Sequence, residues 1–408
     1  MSSIKIRAID AGGSCTRISR SKNEIFKIPS ACMEIPVDAP EKKHIIEDGS
    51  LDFCFKKCPS ESLEGRRFVK GEAMNQYTGD VLVCDNQIVK VLQEVTYINI
   101  LYSIAADCLR RDLNYQDFKI GLCIPAAEFY DDTNDRINDV KDGIAGETAI
   151  YFPMLDKTVR FTIDKQNIGV VAEGVVAAYK YKTDRNFVLR NSVVVDVGYR
   201  STDITILLSF KPVGASAASR PIGGVNLEAA IQSQLERDNI FASTDSVQKS
   251  LCGRYVLGDN DQLIDVTDYI DKAKEIDSAN YLDKAVSLAA MDGLKFSKDD
   301  MKAAVTSHYM VQGQDVIEIT DYVHKAKEMF VDTVFKSIQA VANAKMMNIS
   351  EISNVMCVGR PFSGDLDDPY NLVNMLCAKF KDDVSMYCVP DAGTANVTEI
   401  IGMLGTEE

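Results

Sequence analysis

Histidine is scarce in this chain: three in 408 residues, His44, His308 and His324. None lies near a serine or cysteine motif, which argues against Ser-His-Asp or Cys-His hydrolysis. Basic charge is short as well. With 45 Lys and Arg against 60 Asp and Glu, the formal net charge is −15. Nucleic-acid binding rests on neutralising phosphates, and anionic membrane surfaces attract basic segments. Neither is expected as a direct ligand, and any link to DNA needs a basic partner. No apolar run approaches the roughly 18 residues of a membrane helix. The opening MSSIKIRAIDAGG lacks the basic-then-apolar layout of a secretory signal and runs straight into a strand pattern, so a cytoplasmic protein is expected. Paired cysteine spacing is missing too. The eleven cysteines are scattered, and an odd count in a reducing compartment argues against a disulfide framework. Cys84, Cys108, Cys123, Cys357 and Cys388 sit in apolar runs and read as small buried hydrophobes. Cys54 and Cys58 have no second pair and no histidine cluster, so zinc is not expected there.

What is present is enough apolar residue, 46% of the chain, for two sizeable domains. Residues 192–207, SVVVDVGYRSTDITIL, are the central stretch. Val193, Val194 and Val195 read as a buried strand that ends at Asp196. Gly198, Tyr199, Arg200 and Ser201 turn, and Thr202 onward returns as a second strand. Backbone N–H groups of such a turn can cradle phosphate oxygens, and the acid can hold a hydrated Mg²⁺. An ordinary hairpin with an acidic turn is the alternative. The N-terminus repeats the pattern: a strand over residues 4–9, then Asp10, Gly12, Gly13, Ser14, Cys15 and Thr16, then a return through Arg17 and Ile18. Two copies suggest two similar lobes, each offering a hairpin to one nucleotide.

The rest of the chain supplies further elements. Residues 31–75 look like a small irregular subdomain with short strands at 52–55 and 67–69. A helix is predicted from about Gln87 to Arg110, a buried strand over 118–125, a polar helix or loop around 133–143 and a strand over 159–163. Residues 170–179 read as a small apolar helix with one acid, Glu173. Unpaired buried charge is costly, so this carboxylate either reaches water or faces a cleft and orients a water. Gly223 and Gly224 precede an amphipathic helix that includes Asn226. They either allow a ligand close to the backbone at a helix N-terminus or form a simple loop junction. Residues 254–330 hold an internal repeat. YVLGDNDQLIDVTDYIDKAKE and YMVQGQDVIEITDYVHKAKE each read as a hairpin with a polar glycine turn, then a Thr-capped helix, either a local duplication that thickens one subdomain or two similar units arising by chance. Residues 329–347 read as a helix, 355–358 as a buried strand running into Gly359, Arg360 and Pro361, and 384–389 as a strand. A final helix follows residues 390–396.

In this order, these stretches resemble the actin/Hsp70/sugar-kinase superfamily. Asp10–Arg17 is similar to its first phosphate loop, Asp196–Asp203 to its second, and Glu173 lies where an inter-domain helix is expected. Gly223-Gly224 resembles the start of the base-proximal helix and residues 355–364 the adenosine motif. Ala395-Asn396-Val397 resembles the second connector. Within the superfamily the chain looks most like the plasmid-segregation actins of the ParM type. Arg360-Pro361-Phe362 departs from the usual glycine string, leaving ATP against GTP open, and Arg17 stands where lysine is common. The resemblance implies an α/β actin-like fold: two ribonuclease-H-like lobes around a nucleotide cleft, residues 1–184 plus 385–408 and residues 185–384, with smaller subdomains at 31–75 and 254–330. It implies hydrolysis of ATP, or GTP, coupled to filament assembly, with Mg²⁺ held mostly through water by Asp10 and Asp196. Both turns, with Gly223, Gly224, Asn226, Gly359, Arg360 and Pro361, would bind the nucleotide, and Glu173 would position water. Partners would be further copies of the chain and a basic DNA-binding adaptor. A small-molecule kinase or a chaperone-type ATPase of the same superfamily is the alternative.

Overall fold

Alternating apolar residues after the N-terminus build a hairpin, β1 (Lys5–Ala11) and β2 (Cys15–Ser21), followed by β3 (Glu24–Pro29). The computed structural model describes residues 4–41, 51–85, 88–113, 116–213, 217–257, 262–277, 280–312, 315–362, 368–381, 383–389 and 394–405. The chain divides into two units. Met1–Gly223, Ser337–Ser363 and Lys381–Glu408 form the first, Gly224–Lys336 and Gly364–Phe380 the second. In the first unit, the chain continues through β4 (Cys32–Ile35), β5 (Asp52–Lys57), β6 (Arg67–Lys70) and β7 (Val81–Leu82). Then come α1 (Glu94–Arg110), β8 (Gln116–Ile124), α2 (Ala126–Phe129), α3 (Arg136–Ile144), β9 (Gly146–Phe152) and β10 (Lys157–Ala172). These strands form one ten-stranded sheet, ordered β3-β2-β1-β8-β10-β9-β5-β6-β4-β7. β8 lies parallel to both β1 and β10. It is a near-continuous apolar run because a parallel strand is covered on both faces. Ile98, Leu101 and Ile104 of α1 share one core with Phe118, Ile120 and Phe161.

Several predicted elements are corrected. Residues 159–163 are not a separate strand: β10 runs from Lys157 to Ala172, with a register shift between Ile163 and Ile168. The helix expected from Val170 is mostly strand, and only α4 (Val175–Ala178) is helical. Val170 and Val171 are β-branched and pair with Leu122 and Cys123. Gly174, at φ +70°, then turns the chain. Glu173 therefore sits on a strand-to-helix turn and not on a helix face. The helix expected from Gln87 begins at Glu94, after a 3₁₀ turn over Lys90–Leu92; Gln87 itself lies outside the described residues.

Next in sequence are α5 (Arg185–Val188), β11 (Ser192–Val197), β12 (Thr202–Leu208), β13 (Lys211–Pro212) and β14 (Ala218–Arg220). The second unit then starts with α6 (Gly224–Arg237) and α7 (Thr244–Cys252). The repeat follows as β15 (Tyr255–Leu257), β16 (Leu263–Asp265) and α8 (Thr267–Ile276). After α9 (Tyr281–Met291) and α10 (Lys298–Thr306) it returns as β17 (Tyr309–Gln312), β18 (Asp315–Glu318) and α11 (Thr320–Ala344). Both copies are hairpin then helix, as expected; the turn residues Gly258 and Gly313 lie outside the described residues. The threonines do not cap the helices. Each is the first helical residue, and its hydroxyl accepts the N–H of the residue before the hairpin: Arg254 N to Thr267 Oγ1 at 2.8 Å, His308 N to Thr320 Oγ1 at 2.9 Å. The hairpin closes there because Val266 N–H reaches Arg254 O, and Ile319 N–H reaches His308 O, both at 2.8 Å.

The remaining elements are β19 (Asn354–Val358), α12 (Leu372–Cys377, in the second unit), β20 (Ser385–Cys388) and α13 (Ala395–Leu404). Residues 363–364 and 390–393 of the terminal motifs lie outside the described residues. A second sheet of the first unit runs β13-β12-β11-β19-β20, with β14 on β12. β11 pairs antiparallel with β12 and parallel with β19, as β1 does with β2 and β8. The two hairpins thus share one arrangement, and each carries its acid at the same register. Among the described residues no helix is long and apolar enough to cross a membrane, and no cysteine is in a disulfide.

Candidate functional site

Both acid-bearing hairpins end in braced turns. In the first, Ser30 follows β3, and its N–H reaches Ser14 O at 3.0 Å. Its hydroxyl reaches Gly12 O at 2.5 Å. Thr16 is buried with its hydroxyl 3.3 Å from Ser30 Oγ, while Ser14 is exposed and Cys15 half-buried. In the second turn, Gly198 N–H closes on Ser201 O at 2.8 Å and Thr202 Oγ1 donates to Ile222 O at 2.5 Å. Both threonine hydroxyls therefore face their own scaffold. A Cβ on Gly223 would stand 2.5 Å from the Tyr199 carbonyl oxygen, and one on Gly359, at φ +106°, would overlap the Val197 carbonyl. Only glycine lets the second turn rest on these two backbones. The turns also meet: a Cβ on Gly13 would lie 3.2 Å from Arg200 Cδ, and Arg200 Nη1 reaches Cys84 O at 3.2 Å.

Behind the turns lies a cluster of acids, all in the first unit. Asp10 pairs with Arg17 across the hairpin, Nη1 to Oδ2 at 3.1 Å. Glu173, 11% exposed, receives Lys90 Nζ at 2.5 Å. Lys90 stands on the 3₁₀ turn before α1. Glu128 of α2 anchors that turn by accepting the N–H groups of Lys90 and Val91 at 2.6 and 3.0 Å. Asp196 accepts the Asn396 amide of α13 at 3.0 Å, and the same amide's oxygen accepts Gly174 N–H at 3.0 Å. Asp203 faces Asp196 across β11 and β12, and its Oδ1 is buried without a partner.

Four carboxylates against two cations leave excess negative charge. Burial, joined by Asp10, pushes Asp196 up to about 6 in spite of the Asn396 bond. Burial, with Glu173 and Asp196 nearby, pushes Asp203 well up. Glu173 is also raised, chiefly by burial and then by Asp10 and Asp196, while Lys90 pulls it back. Lys90 stays a cation well above its ordinary range, because Glu173 and Asp10 outweigh its burial. Oxygen donors with surplus charge and an orphaned Asp203 oxygen fit a hard divalent cation such as Mg²⁺. Cys123 offers its sulfur within 4.8 Å of Asp10 and Glu173. Burial holds that thiol protonated, and a hard cation prefers oxygen.

Of the residues named from sequence, Asp10, Arg17, Glu173 and Asp196 come together, with Gly223 and Gly359 packed under the second turn. Arg360 and Pro361 form a short 3₁₀ turn after Gly359. Gly224 and Asn226 belong to α6 in the second unit, where Asn226 is exposed. Sequence reasoning missed Lys90, which sits in a loop with no motif. It also gave no role to Asp203, although this residue stood inside the hairpin motif, or to the Asn396 side chain. By sequence the chain matches no family model and no curated protein. By structure it is similar to the actin-like protein Alp7A (12% identity, TM-score 0.64, 98% of this chain and 95% of that one). It is also similar to Ta0583, an archaeal actin homologue (15%, 0.62, 98% of each), and to Bacillus thuringiensis ParM solved with ATP (13%, 0.60, 98% of each). The likeness spans nearly the whole of both chains, and on it this chain has the α/β fold of the actin-like proteins.

Proposed function

We propose that this chain binds ATP or GTP with Mg²⁺ and hydrolyses it on assembling into a filament of its own copies. The observation that carries this reading is the placement of Asp10 and Asp196 at one register of two like hairpins, with Glu173 beside them. Actin-like relatives of the fold have been solved with ATP and as a filament, which supports nucleotide binding and self-assembly. Asp10 and Asp196, helped by Asp203, would hold the metal mostly through water. Bound there, it would neutralise phosphate charge that builds up during transfer. The N–H groups of the turns at 12–16 and 198–202 would orient the phosphates. Glu173 would take the proton of an attacking water on the oxygen that Lys90 leaves open, and a raised carboxyl suits a base working near neutral pH. Gly223, Gly359, Arg360 and Pro361 would contact the nucleoside end. With a net charge of −15, the chain would reach DNA through a basic adaptor, in plasmid partition or a similar task in the cytoplasm.

The test is light scattering and pelleting with Mg-ATP and Mg-GTP, with phosphate release followed in parallel, on wild type and Glu173→Ala. Scattering should rise above a critical concentration and decay as phosphate appears. Glu173→Ala should assemble but lose about a hundredfold in release. Hydrolysis without assembly would replace the filament with a kinase or chaperone-type ATPase. Unchanged release in Glu173→Ala would remove that residue from the chemistry.

A further inference from the structure

Lys70 ends β6 and is fully buried. Its ammonium donates to Pro29 O at 3.0 Å, to Ser30 O at 3.2 Å and to Asn99 Oδ1 of α1. The Tyr102 ring of α1 lies 5.6 Å from Nζ. Cys32 on β4 and Cys84 lie close enough to act on its charge. Burial keeps the Cys32 thiol above its ordinary range. All three acceptors are neutral oxygens, so the cation is held by hydrogen bonds and not by an ion pair. The carbonyl it holds belongs to Ser30, and Ser30 is the brace of the first turn, bonded to Ser14 O through N–H and to Gly12 O through its hydroxyl. A continuous chain of contacts thus runs from α1 and β6 through Lys70 and Ser30 to the turn after Asp10.

We propose that Lys70 is the positioning residue of the first turn: its ammonium fixes Ser30, and Ser30 fixes the carbonyls of Gly12 and Ser14, so that the turn's N–H groups keep one orientation toward a phosphate. This deepens the reading of the turn as a phosphate cradle and rests on it. β6 pairs with β4 and β5, so Lys70 adds a side-chain link between that end of the sheet and the turn, beside the backbone that joins Ser30 to β4. The device is also proton-sensitive. Burial pushes Lys70 down to about 8. A neutral amine donates two hydrogens where the ammonium donates three. One of Pro29, Ser30 and Asn99 then loses its donor, and nucleotide affinity falls as pH rises through about 8.

Two measurements on wild type, Lys70→Met, Lys70→Arg and Ser30→Ala test this: amide hydrogen exchange of the nucleotide-free protein, and binding of a fluorescent ATP analogue with Mg²⁺. Lys70→Met should speed exchange over residues 10–17 by about tenfold and weaken binding by about as much, the worth of a hydrogen bond or somewhat more. Exchange over residues 192–203 should not move. Ser30→Ala should give the same pattern with Lys70 intact, which keeps the proposal open to refutation if Lys70→Met does not fold. Lys70→Arg, charged at every pH used, should abolish the loss of affinity above about pH 8. Unchanged exchange over residues 10–17 in either folded variant overturns the proposal, as does a loss of affinity above pH 8 that persists in Lys70→Arg. A wild type that binds no nucleotide, with exchange still accelerated in the variants, overturns the phosphate cradle and leaves the Lys70 brace standing.

Discussion

The two acid-bearing hairpins share a backbone and differ in one cross-strand neighbour. Asp10 on β1 faces Arg17, and the pair is closed at 3.1 Å. Asp196 on β11 faces Asp203, a second acid. The first hairpin therefore neutralises itself. The second relies on the Asn396 amide and on Arg17 and Lys90 nearby, and its two carboxyls are pushed up by burial and by their acidic neighbours. Crowded acids are concentrated at the second hairpin, where a bound cation would gain most by letting both ionise. Similar topology thus supplies two like ends, and a single position makes one of them rich in acid.

The largest way to break the comparison is to remove the cation that serves the cluster. Lys90→Met should destabilise the nucleotide-free protein by about 4 kcal/mol in urea unfolding, because buried Glu173 loses the cation it pairs with. Adding Glu173→Gln should restore most of this. Next in size is pH. Asp196 is raised from an ordinary 3.8 to about 6, so the folded state binds the extra proton. Its contribution is complete below about pH 4 and lost as pH rises through 6, a fall of about 3 kcal/mol at most. Asp196→Asn should flatten that slope in thermal unfolding; an unaltered slope would assign it to other groups. Third, Asp10→Asn should cost about 2 kcal/mol by stranding Arg17, whereas Asp203→Asn should gain about 1 kcal/mol by relieving like charge. Losses of the same sign would end the contrast between the hairpins. Smallest, Asn396→Ala should cost about 1 kcal/mol, the worth of its amide bonds.

Much of this site was legible in the sequence because turns write themselves in glycine and acid. Asp-x-Gly with following hydroxyls marked both hairpins, and the valines of β11 marked a buried strand. What the sequence does not reveal is tertiary. Lys90 reaches Glu173 only because Glu128 pins a loop by two backbone N–H groups, and no local pattern encodes that. The helix expected around Glu173 is a strand up to Ala172, because small apolar residues such as Val170 and Val171 suit a buried strand as well as a helix. Pairing with β8 decides between them. The threonines at 16 and 202 looked like phosphate ligands, yet their hydroxyls turn inward to Ser30 and Ile222. Spacing locates a hydroxyl on a turn but cannot give the direction in which it points.

In the second unit, each repeat copy is stapled where its chain enters and leaves: a threonine hydroxyl and one backbone pair close the hairpin onto the start of its own helix. A segment that closes at its own ends can be copied without refitting its surroundings, since entry and exit points keep their separation. The copies are then free to drift apart elsewhere. Arg254 and Asp271 of the first copy correspond to His308 and His324 of the second, while both threonines remain. Such self-closing pieces give a protein a way to grow one surface by duplication while the rest of its fold stays untouched.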